Sequence, residues 1–317
     1  MISRRQLRIK ALQSLYAYYK TDREDMGRSE KELHFNIQKA FELYHYLLLL
    51  IIDVILYAES RIELARNKRI PTHEDLHPNT RFIENQLVDQ VRNNESLLRF
   101  VDQHKLNWSN YPELIKDIYA KLIENEEYAS YMSAEESGYA EDKKMITHIY
   151  THMVFPSELL SSVMEEQSIY WNDDLEFITS MIVKTFKKFK EGDGPDKSLM
   201  ELYKSDEDRD YVVKLYRQTI IHREEYVEYI KLNTRNWDLD RIAFMDILIM
   251  QMAIAELIGF PSIPIKVTLN EYLEISKFYS TSKSSVFING VLDKVVFQLK
   301  EEKKIVKKGR GLIGEND

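Results

Sequence analysis

The chain contains no cysteine, which excludes disulfides, thiolate metal sites and a cysteine nucleophile, and makes a reducing cytoplasm the expected compartment. Glycine and proline are scarce, nine and seven residues among 317. A β-rich fold needs many turn residues and a dinucleotide site needs a glycine loop, so both lose ground. No Gly-x-x-x-x-Gly-Lys loop and no Gly-x-Ser-x-Gly elbow occurs. The opening Met-Ile-Ser-Arg-Arg-Gln lacks the apolar stretch of a signal peptide, so no secretory leader is expected. Neither of two apolar runs reads as a membrane span. Residues 46–58 are too short and contain Asp53, while 242–258 carry Asp246, Gln251 and Glu256, costly in hydrocarbon but ordinary in a buried bundle helix.

What is present is apolar residues and charge. The hydrophobic fraction of 44% is ample for a core, and 30% charge with a mean hydropathy of -0.42 points to a soluble protein. A net charge of -8 argues against a protein coated in nucleic acid. The distribution says more. Residues 1–20 hold Arg4, Arg5, Arg8, Lys10 and Lys20 without an acid, whereas 122–142 hold seven acids without a base. Residues 294–310 hold seven Lys/Arg against Glu301 and Glu302. The chain is basic at both ends and acidic between them.

Helical periodicity dominates. Ser3 and Gln6 read as a capping box before a helix with Leu7, Ala11, Leu15 and Tyr18 on one face and Lys10, Gln13 and Lys20 on the other. Helical patterns follow at about 30–67, 80–104, 112–131, 142–154, 156–170 and 173–190. Residues 191–196, Glu-Gly-Asp-Gly-Pro-Asp, are the clearest linker. Helices at about 197–203, 207–233 and 239–258 come next, then a stiff turn at 259–264. Thr268 and Glu271 suggest a second capping box, and Ser282 a cap for a last helix carrying Phe287, Val291, Val295 and Leu299. The tail beyond Lys300 is expected to fray. With two helical sub-domains expected from the length, an all-α fold follows.

Catalytic signals are weak. His148 and His152 lie one helical turn apart, but without a Glu between them in the metal-binding pattern and without a third ligand they read as surface or packing residues. Asp173 and Asp174 read as the start of a helix. No catalytic residue, metal ligand or cofactor site is assigned.

Binding signals are stronger. The basic first helix can contact phosphates with release of counterions, and Gln13 and Tyr16 can add hydrogen bonding or stacking. Alone, these features better describe a solvated, slightly basic helix with aromatic core residues. Near the other end, Asn289-Gly290 interrupts an apolar helical stripe. Glycine inside a helix costs about 1 kcal/mol relative to alanine, so Gly290 is expected at a close approach.

The run Phe287-Ile288-Asn289-Gly290-Val291-Leu292-Asp293-Lys294 resembles the Phe-Val-Asn-Gly-Val-Leu-Asp-Lys segment that closes proteins of the NusB family. Residues 263–271 resemble the family's Pro-x-Lys-Val-x-Ile-Asn-Glu segment, 275–278 its Leu-Ala-Lys-x-Phe, and 246–257 the preceding helix. Arg4, Arg5, Arg8, Ala11, Gln13, Leu15 and Tyr16 are similar to the basic first helix. The resemblance covers 3–20 and roughly 207–299, in order. Gln6 and Gln251 depart from it where the family usually has arginine.

The resemblance implies a NusB-like bundle of two helical subdomains with an additional helical insertion. It divides the chain into a first helix (1–20), an inserted or extended helical region (21–205), the C-terminal part of the NusB-like domain (206–300) and a basic flexible tail (301–317), with 173–190 as a candidate for the family's second helix. It also implies a non-enzymatic transcription antitermination factor for ribosomal RNA operons, without cofactor. Such a factor binds a boxA-type single-stranded RNA together with the small-subunit ribosomal protein NusE on the transcription elongation complex. RNA contact is implied for Arg4, Arg5, Arg8, Gln13, Lys283, Ser284 and Phe287, and contact with the ribosomal protein for Tyr16 and Asp246. The alternatives are a helical protein-binding scaffold, a ribosome-biogenesis factor, or a domain associated with an RNA methyltransferase. The apolar run at 46–58 leaves a homodimer open.

Overall fold

The computed structural model describes residues 1–21, 25–135, 138–234, 242–281 and 283–308. Those residues form α1 (Arg4–Lys20), α2 (Met26–Arg66), α3 (His73–Leu76), α4 (Gln86–Arg92), α5 (Glu95–His104), α6 (Pro112–Ile123), α7 (Glu126–Ser133), α8 (Tyr139–Ile149), α9 (Glu158–Gln167), α10 (Leu175–Lys188), α11 (Asp206–Ile221), α12 (Arg223–Asn233), α13 (Phe244–Gly259), α14 (Ile265–Tyr279) and α15 (Ser284–Glu301). One π-helical turn, Tyr150–Val154, follows α8. No strand occurs among the described residues, and the fold is all-α. The chain divides into two compact units: 1–37 with the described part of 202–317 (unit one), and 38–201 (unit two).

In unit one α13 is the central element, packing against α1, α11, α12, α14 and α15. It is buried on every side from Leu248 to Leu257, as an all-round apolar helix must be. Ser3 caps α1 by accepting from the Gln6 amide, and α1 buries Leu7, Ala11, Leu12 and Leu15. Lys10, expected on the polar arc, is buried instead. The expected helix over 207–233 is divided at His222 into α11 and α12.

The proposed cap at Thr268 does not form. Helix α14 starts three residues earlier, after Pro264, whose fixed φ suits a helix start, and the Thr268 side chain turns inward. Gly290 is exposed, and a Cβ there would meet nothing within 4 Å, so it is not a close-approach position. The expected cap at Ser282 lies outside the described residues. Up to Lys308 the tail is fastened: Lys304 Nζ donates to Glu225 (2.7 Å), Tyr229 to Glu302, and Lys307 Nζ to the Phe260 carbonyl (3.0 Å).

Unit two is built on residues 38–66 of α2. Trp171 Nε1 donates to the carbonyl of Lys39 (2.8 Å), Trp108 Nε1 to that of Tyr46 (3.1 Å) and the Tyr150 hydroxyl to that of Leu47. Each uses the second lone pair of a carbonyl already inside the helix. The Tyr46 and Trp108 rings stack at 3.8 Å. Among the described helices only α2 is long and apolar enough to cross a membrane, and 67% of its most apolar window is buried within the protein.

The helical patterns read over 80–104 and 112–131 are each broken. Asn85, Asn94 and Asn125 restart helices by accepting from the amides of Val88, Leu97 and Tyr128. Residues 197–203 are not helical. The expected linker is held in place: Gln90 Nε2 donates to the carbonyls of Lys190, Glu191 and Asp193, and Pro195 accepts from the Glu95 amide. In the π-turn the Phe155 amide bonds the Tyr150 carbonyl five residues back at 3.0 Å.

Candidate nucleic-acid interface

The first turns of α1 project three arginines, and each finds an acid within unit one. Arg4 Nε donates to Asp208 on α11 (2.8 Å). Arg5 forks onto Glu271 of α14 through Nε (2.9 Å) and Nη2 (2.8 Å). Arg8, one turn further in, forks onto Glu256 of α13 through Nε and Nη2, both at 2.8 Å. Two-point geometry of this kind is the strong form of a charge-assisted hydrogen bond.

Their environments differ sharply. The Arg4 and Arg5 side chains are 38% and 45% exposed, that of Arg8 only 3% and that of Glu256 0%. Arg8 lies between the rings of Tyr211 (5.5 Å) and Tyr272 (5.8 Å). Burial opposes its charge, but the Glu256 hydrogen bonds and the surrounding groups outweigh it and hold the guanidinium above its ordinary pKa. Glu256 also accepts from Thr268 (2.8 Å), Tyr211 and Tyr272 (3.3 Å). Burial, with the nearby Glu256 charge, pushes both tyrosines well up. The Arg5 hydrogen bond holds the Glu271 carboxyl below the usual carboxylate range. Glu256 has its oxygens taken by donors on three other helices, α1, α11 and α14. It fastens α1, α11, α13 and α14 to one another.

Three residues expected at an RNA or protein surface are therefore interior. Arg8 is 3% exposed. Ser284 and Asp246 are also buried and joined: Ser284 Oγ donates to Asp246 Oδ2 (2.9 Å), and Ser280 donates to the other carboxylate oxygen. A carboxylate on the first turn of α13 thus fixes the turn between α14 and α15. Gln251, where the family usually has arginine, is buried too.

The other expected residues keep exposed surface. Arg4 and Arg5, with Ser3, Ser262, Ile263, Pro264, Val267 and Glu271, line an open cleft of about 490 Å³ whose wall includes Arg8. Gln13 is half-buried and donates to the Tyr279 hydroxyl (3.3 Å). Lys283 is exposed and Phe287 half-buried at the start of α15. Tyr16 is 40% exposed, with its ring edge-on to Phe244 at 5.8 Å. Charge counting along the sequence missed Glu256, Asp208 and Glu271. Glu256 could have been suspected, because a lone carboxylate in an apolar helix needs a buried cation.

Among the described residues no group of three or more His, Asp or Glu could hold a metal ion. The His148 and His152 rings stack at 4.4 Å without a third ligand.

The sequence profile of the NusB family matches residues 175–297. The chain is 42% identical over 106 residues to the transcription antitermination protein NusB of Salinibacter ruber, covering 33% of this chain and 66% of that protein. To the protein of the same name from Natranaerobius thermophilus it is 38% identical over 103 residues, 31% of this chain and 74% of the relative. The chain belongs to the NusB family. To the NusB protein of Chloroherpeton thalassium it is 38% identical over 105 residues, 33% of this chain and 50% of the relative. No solved structure matches. The matched residues include α10 from unit two and α11 to α14 from unit one.

Proposed function

We propose that this chain is an RNA-binding transcription antitermination factor acting on ribosomal RNA operons. It binds a boxA-type single-stranded RNA with the ribosomal protein NusE and joins the elongation complex in the cytoplasm. The observation that carries this reading is the cleft beside Arg4 and Arg5, on the unit that holds most of the family match. Both arginines reach solvent, so a phosphate can approach them from the cleft. Lys283 and Phe287 extend the RNA surface, with Gln13 beside them in the assignment. Arg8 and Ser284 act through what they hold in place. Tyr16 offers its edge to the ribosomal protein, with Asp246 fixing the turn nearby.

The test is equilibrium binding to a boxA RNA with and without the ribosomal protein, across a salt series. The expected result is affinity that falls with salt and rises with the ribosomal protein. Binding that is absent, or indifferent to salt, would overturn the proposal.

A further inference from the structure

Unit two is acidic as a whole, with eighteen Lys/Arg against twenty-nine Asp/Glu in residues 38–201. Against that background one face is strongly basic. Lys184, Lys187 and Lys188 are exposed on the last turns of α10. Spacings of three and four residues place them on one side of the helix, within about 6 Å of rise. Among the described residues the side chains of these three make no ion pair or hydrogen bond.

The helix terminus does not account for them. Cations near a helix C-terminus offset its partial negative charge. Here that role is filled from α8, where Lys143 Nζ donates to the carbonyls of Lys187 (3.0 Å) and Phe189 (2.8 Å). Its ammonium adds to the same end of α10. Asp193, in the segment that follows α10, is engaged by Lys197 (2.6 Å) and the Lys190 amide (2.8 Å). The three outward ammonium groups of Lys184, Lys187 and Lys188 are left without an ion-pair partner among the described residues.

We infer that this face of α10 is a second RNA contact, one that binds the phosphate backbone without reading sequence. The chemistry favours phosphate over base. Lysine is a compact point charge without the guanidinium fork that reads base edges or carboxylates at two points. The outer face of α10 from Glu176 to Lys188 also carries no exposed aromatic ring on which a base could stack. The identity of the polyanion rests on the proposed function; the unpaired lysines do not.

The experiment uses the full chain and the Lys184→Gln, Lys187→Gln, Lys188→Gln triple variant. Both are titrated with a boxA RNA bearing a flanking strand, with a poly(U) strand of equal length, and with poly-glutamate. Loss of three contacts should lower the salt slope by about 2, at ~0.7 per contact, equally for both RNAs. The triple Arg variant should keep the wild-type slope, and far-UV circular dichroism should match throughout. Unchanged slopes in the Gln variant overturn the inference while leaving boxA binding intact. Poly-glutamate binding as tight as RNA also overturns it, since the face would then suit an acidic protein. If boxA preference is absent but poly(U) binding still depends on the three lysines, the proposed function fails and this inference stands.

Discussion

The two units solve the same burial problem with different chemistry. Unit one carries twenty-six Lys/Arg against twenty-three Asp/Glu, and it closes its core with a buried ion pair, Arg8 to Glu256, flanked by two tyrosines and a threonine. Unit two is the more charged in net terms, yet its core joins Trp108, Trp171 and Tyr150 to the backbone of α2. A buried ion pair ties elements only where they can bring donors to one point, so it demands geometry rather than volume. Aromatic donors on a helix backbone demand less, because every carbonyl has a spare lone pair. The comparison teaches that charge on the sequence is a poor guide to which charges face water. Arg8 belongs to a basic, acid-free stretch of the chain and is nevertheless buried.

Four variants break or sharpen that contrast, from the largest expected effect down. Glu256→Gln leaves Arg8 charged and buried without its counter-ion. Removing one partner of such a pair costs about 3–5 kcal/mol, so denaturant unfolding should show the variant strongly destabilised. A loss below 1 kcal/mol would mean that the cluster does not hold unit one together.

Next comes a pH effect confined to unit two. His45 is buried against Phe41 and Phe100, and burial lowers its pKa to about 4. The unfolded chain takes up the proton first, so the contribution of neutral His45 is complete above about pH 6.5 and is lost as pH falls through 4. Over the full range that amounts to roughly 3 kcal/mol. Asp53 opposes it, because burial pushes its carboxyl up to about 6 and its contribution declines as pH rises through that value. Comparing His45→Gln with wild type at pH 7.5 and 4.5 isolates the histidine. Wild type should lose more stability between those values than the variant, and parallel profiles would refute the assignment.

Tyr150→Phe removes one hydroxyl from the α2 backbone and leaves the ring. The expected loss is about 1–2 kcal/mol, within the range for a buried hydrogen bond, read from the urea midpoint. Smallest is Arg5→Gln, which should change stability by under about 1 kcal/mol because its pair is partly exposed. Its visible effect should be on RNA affinity.

The fold class was legible from the sequence because helical spacing runs nearly the whole length and strand signals are missing. Helix ends were less so. Asn85, Asn94 and Asn125 lie within apolar periodicity that reads as continuous, yet each caps a new helix. Within such a run an asparagine looks like one more polar residue, although it competes for backbone amides at helix starts. The basic arginines of α1 were legible as a group, but their division was not. Position along α1 sets it: Arg4 and Arg5 lie in the first turn at the rim, while Arg8 shares the inward face with Leu7, Ala11 and Leu15. Nothing in local spacing says that Glu256, 248 residues away, waits on that side.

That division is the central claim, and one paired measurement tests it most directly. The Arg4→Gln, Arg5→Gln double variant and the Arg8→Gln variant are compared with wild type for thermal midpoint and for the salt slope of boxA RNA binding. The account predicts that the double variant keeps its thermal midpoint within a few degrees and loses about 1.4 from the slope, at ~0.7 per phosphate contact. Arg8→Gln should instead unfold at a clearly lower temperature. A double variant with an unchanged slope, or an Arg8→Gln protein as stable as wild type, would contradict it.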